Sequence, residues 1–352
     1  MAVDTITFDR HHGGAEGGGL IDFSVSINPL GPPPGLLEAY HRAAAVITVY
    51  PEPYAASLTA AIARHLGVVP QNVLAANGST QLFYLIARVL RPSRPAVVIP
   101  TFSEIANSLL SMSITPTPIA LRRERGFQFD LSDIFAALDK GADALFFGRP
   151  NSPTGSHLEL AAVSAIVQRC ARSGCWCVID EAFIELTDDQ CSAIALISEY
   201  ERLIVVRSMT KLYAIPGLRL GYLVAAQSVA ARLARALEPW SVSGPAAAVG
   251  IECLAQPRSW SDQVRQSLRC ERQYVEQELR KIAAIEVFPS ACNFILFAVR
   301  IESRPLTEHL GEHGMVVRDL AALPGAGPGL YRIGIRSRTD NDRLIRTLAD
   351  FT

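Results

Sequence analysis

Arg207-Ser-Met-Thr-Lys-Leu-Tyr-Ala-Ile-Pro-Gly-Leu-Arg-Leu-Gly-Tyr222 is the stretch on which the reading of this chain turns. It follows Leu203-Ile-Val-Val206, a run that is apolar on both faces, as in a strand buried within a parallel sheet. Lys211 therefore stands just past a buried strand, among hydroxyls and apolar side chains, with no acid beside it. Desolvation lowers the pKa of such a lysine and leaves its amine a nucleophile toward an aldehyde. Ser208 and Thr210 before it, and Arg219 after it, offer the hydroxyls and the planar fork that suit a doubly charged phosphate.

The same logic extends outward. In Cys177-Val-Ile-Asp-Glu-Ala-Phe183, Asp180 ends a strongly apolar run. That places it at the carboxyl edge of a parallel sheet, where α/β folds bind ligands. A buried carboxylate there requires a cationic partner. Pro150-Asn-Ser-Pro-Thr-Gly155 reads as a turn after a strand. Ala76-Asn-Gly-Ser-Thr-Gln81 reads as a strand-to-helix turn whose free N–H groups suit a phosphate. Pro100-Thr-Phe102 ends a further strand with a ring able to stack on a flat cofactor. Each piece alone has an ordinary explanation: a solvated Asp-Glu pair, a common Pro-Thr-Gly turn, an exposed strand-end lysine. Their joint occurrence, in this order, is what carries the argument.

Composition sets the frame. The 352 residues include 33 Lys+Arg against 34 Asp+Glu, so no broad charge favours nucleic acid or an anionic membrane. Hydrophobic residues make up 49%, enough to bury a large core, and the length predicts one large domain with a smaller one. No apolar run approaches the roughly 20 residues of a membrane helix, and Met1–Thr5, with Asp4, lacks the apolar region of a secretory signal. A soluble, cytoplasmic protein is expected. Seven cysteines, an odd number in a long chain, favour reduced thiols. Cys170, Cys175 and Cys177 read as buried thiols rather than a metal site, since no matching Cys or His pattern accompanies them. His309 and His313 lie one helical turn apart, a spacing that suits a metal, although a solvated helix face is the commoner outcome. No metal is expected.

Strand-like runs at Val73–Ala76, Ala96–Pro100, Ala142–Gly148, Trp176–Asp180, Leu203–Ser208 and Leu220–Val224 alternate with helical stretches at 80–90, 104–112, 131–140 and 158–172. This alternation predicts an α/β fold with a mostly parallel sheet and helices on both faces. After Pro239 a helix over 260–282 precedes short strands at 285–288, 294–300, 315–318 and 330–336, then a final helix: a smaller α+β unit. The Gly- and Pro-rich start, with Gly17-Gly-Gly19 and Pro32-Pro-Pro34, cannot form a core alone and is expected to lie across the rest as an arm. The predicted division is an arm over 1–45, a large domain over 46–240 and a small one over 241–352. Gly325-Ala-Gly-Pro-Gly329 is no dinucleotide loop, because it lacks a following helix and contains Pro328.

Taken in order, these motifs resemble those of the fold-type I pyridoxal-phosphate enzymes, in the class-II aminotransferase branch, over nearly the whole chain. The resemblance implies pyridoxal 5'-phosphate as cofactor, attached to Lys211, with Asp180 paired to its pyridine nitrogen and Phe102 stacked on its ring. It implies Gly78, Ser79, Thr80, Ser208, Thr210 and Arg219 around the cofactor phosphate. Tyr50, in Val49-Tyr-Pro-Glu52, matches the tyrosine that reaches the neighbouring subunit's cofactor, which implies a homodimer. Two departures stand out. The family's Asn before Pro-Thr-Gly is Ser152 here, after Asn151, so either residue is a candidate donor to the cofactor O3'. The family's Asp-Glu-Ala-Tyr ends in Phe183, so no phenol assists from there.

Within the branch, His12-Gly-Gly14, Asp22-Phe-Ser-Val-Ser-Ile-Asn-Pro-Leu-Gly31, the Lys211 phrase and Tyr331-Arg-Ile-Gly-Ile-Arg-Ser337 resemble threonine-phosphate decarboxylases of cobalamin biosynthesis. Histidinol-phosphate aminotransferases come next. The implied substrate is a phosphorylated amino acid or amine. Arg332 would clamp its carboxylate, with His12, Asn28 and Arg318 around it and its phosphate. Arg336, two strand positions past Gly334, would add charge or pair with an acid. The implied reaction is decarboxylation of L-threonine O-3-phosphate, with transamination by the same residues as the alternative, since the outcome depends on where the arginines hold the carboxylate. A non-catalytic cofactor-binding protein is the remaining class, and the joint presence of Lys211, Asp180 and Arg219 argues against it.

Overall fold

The computed structural model describes residues 6–7, 12–14, 19–188, 191–300 and 304–351. Met1–Thr5 and the Gly17-Gly18 pair lie outside the described residues.

Among the described residues thirteen strands form three sheets. Ile21–Asp22 (β1) begins the series. The central sheet takes Val73–Asn77 (β2), Pro95–Ile99 (β3), Thr117–Ala120 (β4), Ala144–Gly148 (β5), Trp176–Asp180 (β6), Leu203–Ser208 (β7) and Leu220–Ala225 (β8). Their order is β2-β8-β7-β6-β5-β3-β4, and β8 alone runs against its neighbours. The short path from Ser208 to Leu220 holds no long crossover helix, so β8 returns as an antiparallel partner of β7. Continuous apolar runs are needed because each strand feeds two cores. Phe147, Ile179 and Val205 go to one face, while Phe146, Val178 and Val206 go to the other. Each such buried side chain contributes about 1.5–3 kcal/mol.

A second sheet contains Ile285–Val287 (β9) and Phe294–Val299 (β10), and Met315–Val316 (β11) lies apart from it. Arg318–Asp319 (β12) and Leu330–Gly334 (β13) complete it in the order β12-β13-β10-β9, all antiparallel. The expected single strand over 315–318 is therefore divided. Its first half pairs in parallel with β1, and its second half joins β13. The long helix Arg258–Leu279 buries Val264, Leu268, Val275 and Leu279 at helical spacing. Among the described residues no helix is long and apolar enough to cross a membrane.

From β1 the N-terminal segment crosses to the central sheet. Phe23 exchanges backbone hydrogen bonds with Val316 and Gly334, and the Asn28 N–H donates to the Lys211 carbonyl at 3.1 Å. Register then sets the site. Gly148 pairs with Asp180, and Asp180 with Val206, so the carboxyl ends of β5, β6 and β7 finish together.

Candidate active site

Those strand ends open into a cavity of about 650 Å³. Asp180 and Lys211 line it from the central sheet, and Arg318 and Arg332 from the second sheet. Asp180 ends β6 and is 8% exposed. Burial pushes its carboxyl up to about 6, against the pull of the Ala182 N–H and the charge of Lys211. Lys211 is lowered to about 8, first by burial and then by the nearby charges of Arg332 and Arg219. Its ammonium lies 5.4 Å from the centre of the Phe183 ring. Among the described residues no carboxylate pairs with it directly.

A phosphate cradle stands at one end of the cavity. The helix Gly78–Leu90 starts there, with Ser79 and Thr80 in its first turn lining the wall. Ser208 and Thr210 lie across from it, their hydroxyls 2.8 Å apart. Arg219 reaches over Gly78, leaving no room for a side chain: a Cβ would stand 2.6 Å from Nη2. Phe102, just before the helix Ser103–Leu110, forms part of the wall. The donor set of helix N–H groups, four hydroxyls and a guanidinium fits a phosphate. Asp180, buried with a single backbone donor and no direct cation, fits a protonated ring nitrogen. A family model for class I and II aminotransferases matches residues 19–348.

The chain belongs to the class I and II aminotransferase family.

It is a pyridoxal-phosphate-dependent enzyme of fold type I. It is 36% identical to the threonine-phosphate decarboxylase of Salmonella typhimurium, over 94% of this chain and 90% of that one. It is 33% identical to histidinol-phosphate aminotransferase 2 of Archaeoglobus fulgidus, over 94% and 93%. The crystal structure of the histidinol-phosphate aminotransferase from Clostridium acetobutylicum superposes with a TM-score of 0.87 at 26% identity, covering 94% of this chain and 98% of that one.

In this aminotransferase-family enzyme Arg318 and Arg332 are direct partners on adjacent antiparallel strands. Like charges so placed repel, and burial together with Arg318 lowers Arg332 to about 10. Arg332 is fixed by hydrogen bonds to Ser152 Oγ at 3.0 Å and the Ser24 carbonyl at 2.6 Å. His12 also lines the cavity, tilted against Phe102 with ring centres 6.2 Å apart.

Four expected site residues are placed elsewhere. Asn151 is fully buried and does not line the cavity. Its amide accepts from Thr101 and donates to the Pro100 carbonyl and to Thr154, leaving Ser152 and Pro153 as the turn residues that face the cavity, Ser152 with the polar side chain. Asn28 is a brace rather than a wall residue, donating to the carbonyls of Leu212 at 3.0 Å and Gly31 at 3.1 Å. Arg336 turns to Asp340, with Nε 3.1 Å from the carboxylate, and to the Asp22 carbonyl. Tyr50 is 85% exposed and outside this chain's own cavity, packed against Trp240.

Glu104 and Ser24 line the cavity without having been singled out from the sequence. Glu104 directly follows Pro100-Thr-Phe-Ser103, and an acid in a first helical turn reads as a favourable partner of the helix dipole. Its burial was the missing signal. The His309 and His313 pair gathers Glu312, but Arg304 occupies Nδ1 of His309 at 2.6 Å and pairs with Glu312, so a cation is already in place.

Proposed function

We propose that the enzyme decarboxylates L-threonine O-3-phosphate, releasing carbon dioxide and (R)-1-amino-2-propanol phosphate. The observation that carries this reading is the directly opposed Arg318 and Arg332 in one cavity wall, with His12 close by and a separate cradle for the cofactor phosphate. Two guanidinium groups held together are stabilised by a ligand with two anionic ends, and threonine phosphate has a carboxylate and a phosphate. The 36% identity to a threonine-phosphate decarboxylase over 94% of the chain supports the same choice.

Bound pyridoxal phosphate supplies an electron sink for the pair left at the substrate Cα. The proposed roles of the chain's residues rest on the family resemblance, and their placement around the cavity supports them. Asp180 would hold the ring nitrogen's proton, and Gly78, Ser79, Thr80, Ser208, Thr210 and Arg219 would hold the phosphate. Phe102 would stack on the ring, and Ser152, standing where the family has asparagine, would be the donor to O3'. Lys211 would hold the cofactor aldehyde until the substrate amine displaces it; the freed amine, lowered to about 8, would then, as its ammonium, return a proton to Cα once carbon dioxide has left. Arg332 holds the carboxylate, and its two fixed hydrogen bonds decide which bond at Cα is presented for cleavage.

The active form is proposed to be a cytoplasmic homodimer with a large and a small domain. Val49, Tyr50, Tyr54 and Trp240 form an exposed apolar group, which suits a second copy whose cavity Tyr50 enters. The seven free thiols suit a reducing compartment.

The 33% identity to a histidinol-phosphate aminotransferase supports a second reading, transamination of histidinol phosphate. Product analysis separates the two. Threonine phosphate incubated with the holoenzyme and no oxo-acid acceptor should give carbon dioxide and aminopropanol phosphate. Amino transfer from histidinol phosphate to 2-oxoglutarate, without carbon dioxide from threonine phosphate, would overturn the decarboxylase reading.

A further inference from the structure

A buried carboxylate in the wall of a site for a polyanionic substrate repels that substrate unless it is neutralised. Glu104 is such a group, 7% exposed and part of the cavity wall. Three donors converge on it: Tyr84 Oη at 2.8 Å on Oε2, with Asn107 Nδ2 at 2.8 Å and His12 Nε2 at 3.1 Å on Oε1. Burial works to raise its pKa, yet the bonds from His12, Tyr84 and Asn107 outweigh it and hold the carboxyl below the ordinary glutamate value. Tyr84 belongs to the helix that starts at the phosphate cradle, and Asn107 to the helix after Phe102. The carboxylate is thus fixed from two helices packed on each other, and the His12 contact comes from the N-terminal segment.

The other side of that segment is anchored as well. The Gly14 N–H donates to Ser24 Oγ at 2.8 Å, and a Cβ on Gly13 would collide with the Ser24 carbonyl, which accepts from Arg332. His12-Gly13-Gly14 therefore spans from the residue that steadies Arg332 to Glu104.

We propose that Glu104 is a positioning residue that latches His12 onto the cavity wall, while His12 in turn masks the Glu104 charge from the substrate phosphate. This rests on the reading that the substrate is a phosphorylated amine. The pair acts as a unit: with both present the His12 ring covers the carboxylate, and with His12 gone the carboxylate faces the cavity with Tyr84 and Asn107 as its donors. The sign of the Glu104 effect consequently depends on His12.

The test uses holoenzyme carrying E104Q, H12A or both. E104Q alone should raise KM for the phosphorylated substrate about tenfold with kcat changed less than about twofold, as for a lost pairwise coupling. In the H12A background the same E104Q change should lower KM. Independent effects that simply multiply would overturn the proposal. On the resting protein, E104Q should speed amide exchange in residues 12–14 and 19–24 but not in 103–112, and unchanged exchange would equally overturn it. That second readout needs no turnover, so it decides the latch even if no phosphorylated amine proves to be a substrate.

Discussion

Gly78 lies directly beneath the Arg219 guanidinium, so close that a Cβ would stand 2.6 Å from Nη2. The glycine also has φ +78°, a conformation that costs a residue with a side chain about 1–3 kcal/mol. Gly78→Ala should therefore leave a folded protein that holds pyridoxal phosphate at least about tenfold more weakly, because Arg219 must swing away. Titrating the apoprotein with the cofactor and following absorbance checks this. Unchanged affinity would mean that Arg219 does not hold the phosphate.

Asp180 gives a pH dependence of known sign. Its carboxyl titrates at about 6 in the fold against 3.8 ordinarily, so the folded protein binds this proton more tightly. The stability this provides is complete below pH 3.8 and is lost as pH rises through 6, on the order of 3 kcal/mol in all. Lys211, lowered to about 8 from 10.5, acts in the other direction: its stability is complete above pH 10.5 and lost as pH falls through 8. Between pH 6 and 8 the apoprotein bears both costs. Apo Asp180→Asn should melt progressively higher than the parent as pH rises from 4 to 6.5, while losing cofactor affinity. A melting difference that stays flat over that range would refute the buried, unpaired state of this carboxyl.

The acid after Asp180 has a structural task. Glu181, fully buried, pairs with Arg149 at 3.1 Å and Arg207 at 3.3 Å and accepts from the Ala193 N–H at 2.9 Å. Removing the shared carboxylate leaves two guanidinium groups inside the protein without it. Glu181→Ala should cost about 3–5 kcal/mol, read as a lower denaturation midpoint in urea. A loss under 1 kcal/mol would show that water or neighbouring carbonyls can take its place.

The central strands were legible because burial on both faces demands unbroken apolar runs, and Leu203–Val206 or Val178–Ile179 satisfy that locally. β4 was not, since Thr117-Pro-Ile-Ala is a half-exposed edge where Pro118 is tolerated, and nothing in it alternates. β11 and β12 are two residues each, too short to show any period. Among site residues, Lys211 and Asp180 were readable from strand-end chemistry and Arg332 from the family resemblance, and each lines the cavity. Asn28 and Asn151 stand outside the cavity, and Arg336 takes the acid partner that was one of its two expected outcomes, for one reason: a polar side chain near a ligand site has either the ligand or a protein group as partner. Only the fold shows that Asn28 bonds Leu212 and that Arg336 bonds Asp340. Glu104 was missed because its partners Tyr84, Asn107 and His12 converge from separate segments.

Tyr50 permits a test of subunit sharing that needs no substrate assignment beyond one assayable reaction. It is 85% exposed and outside its own chain's cavity, whereas Lys211 lies inside. If each cavity takes its lysine from one copy and its tyrosine from the other, Lys211→Ala and Tyr50→Ala proteins are each impaired at every site. Mixed after mild dissociation, half the dimers are hybrids, and each hybrid has one site with both residues intact. Activity should then recover to about a quarter of the parent's. Mixing that restores nothing, with hybrid formation verified by differently tagged chains, would place Tyr50 outside the partner's site and leave its exposed apolar neighbours as a contact surface alone.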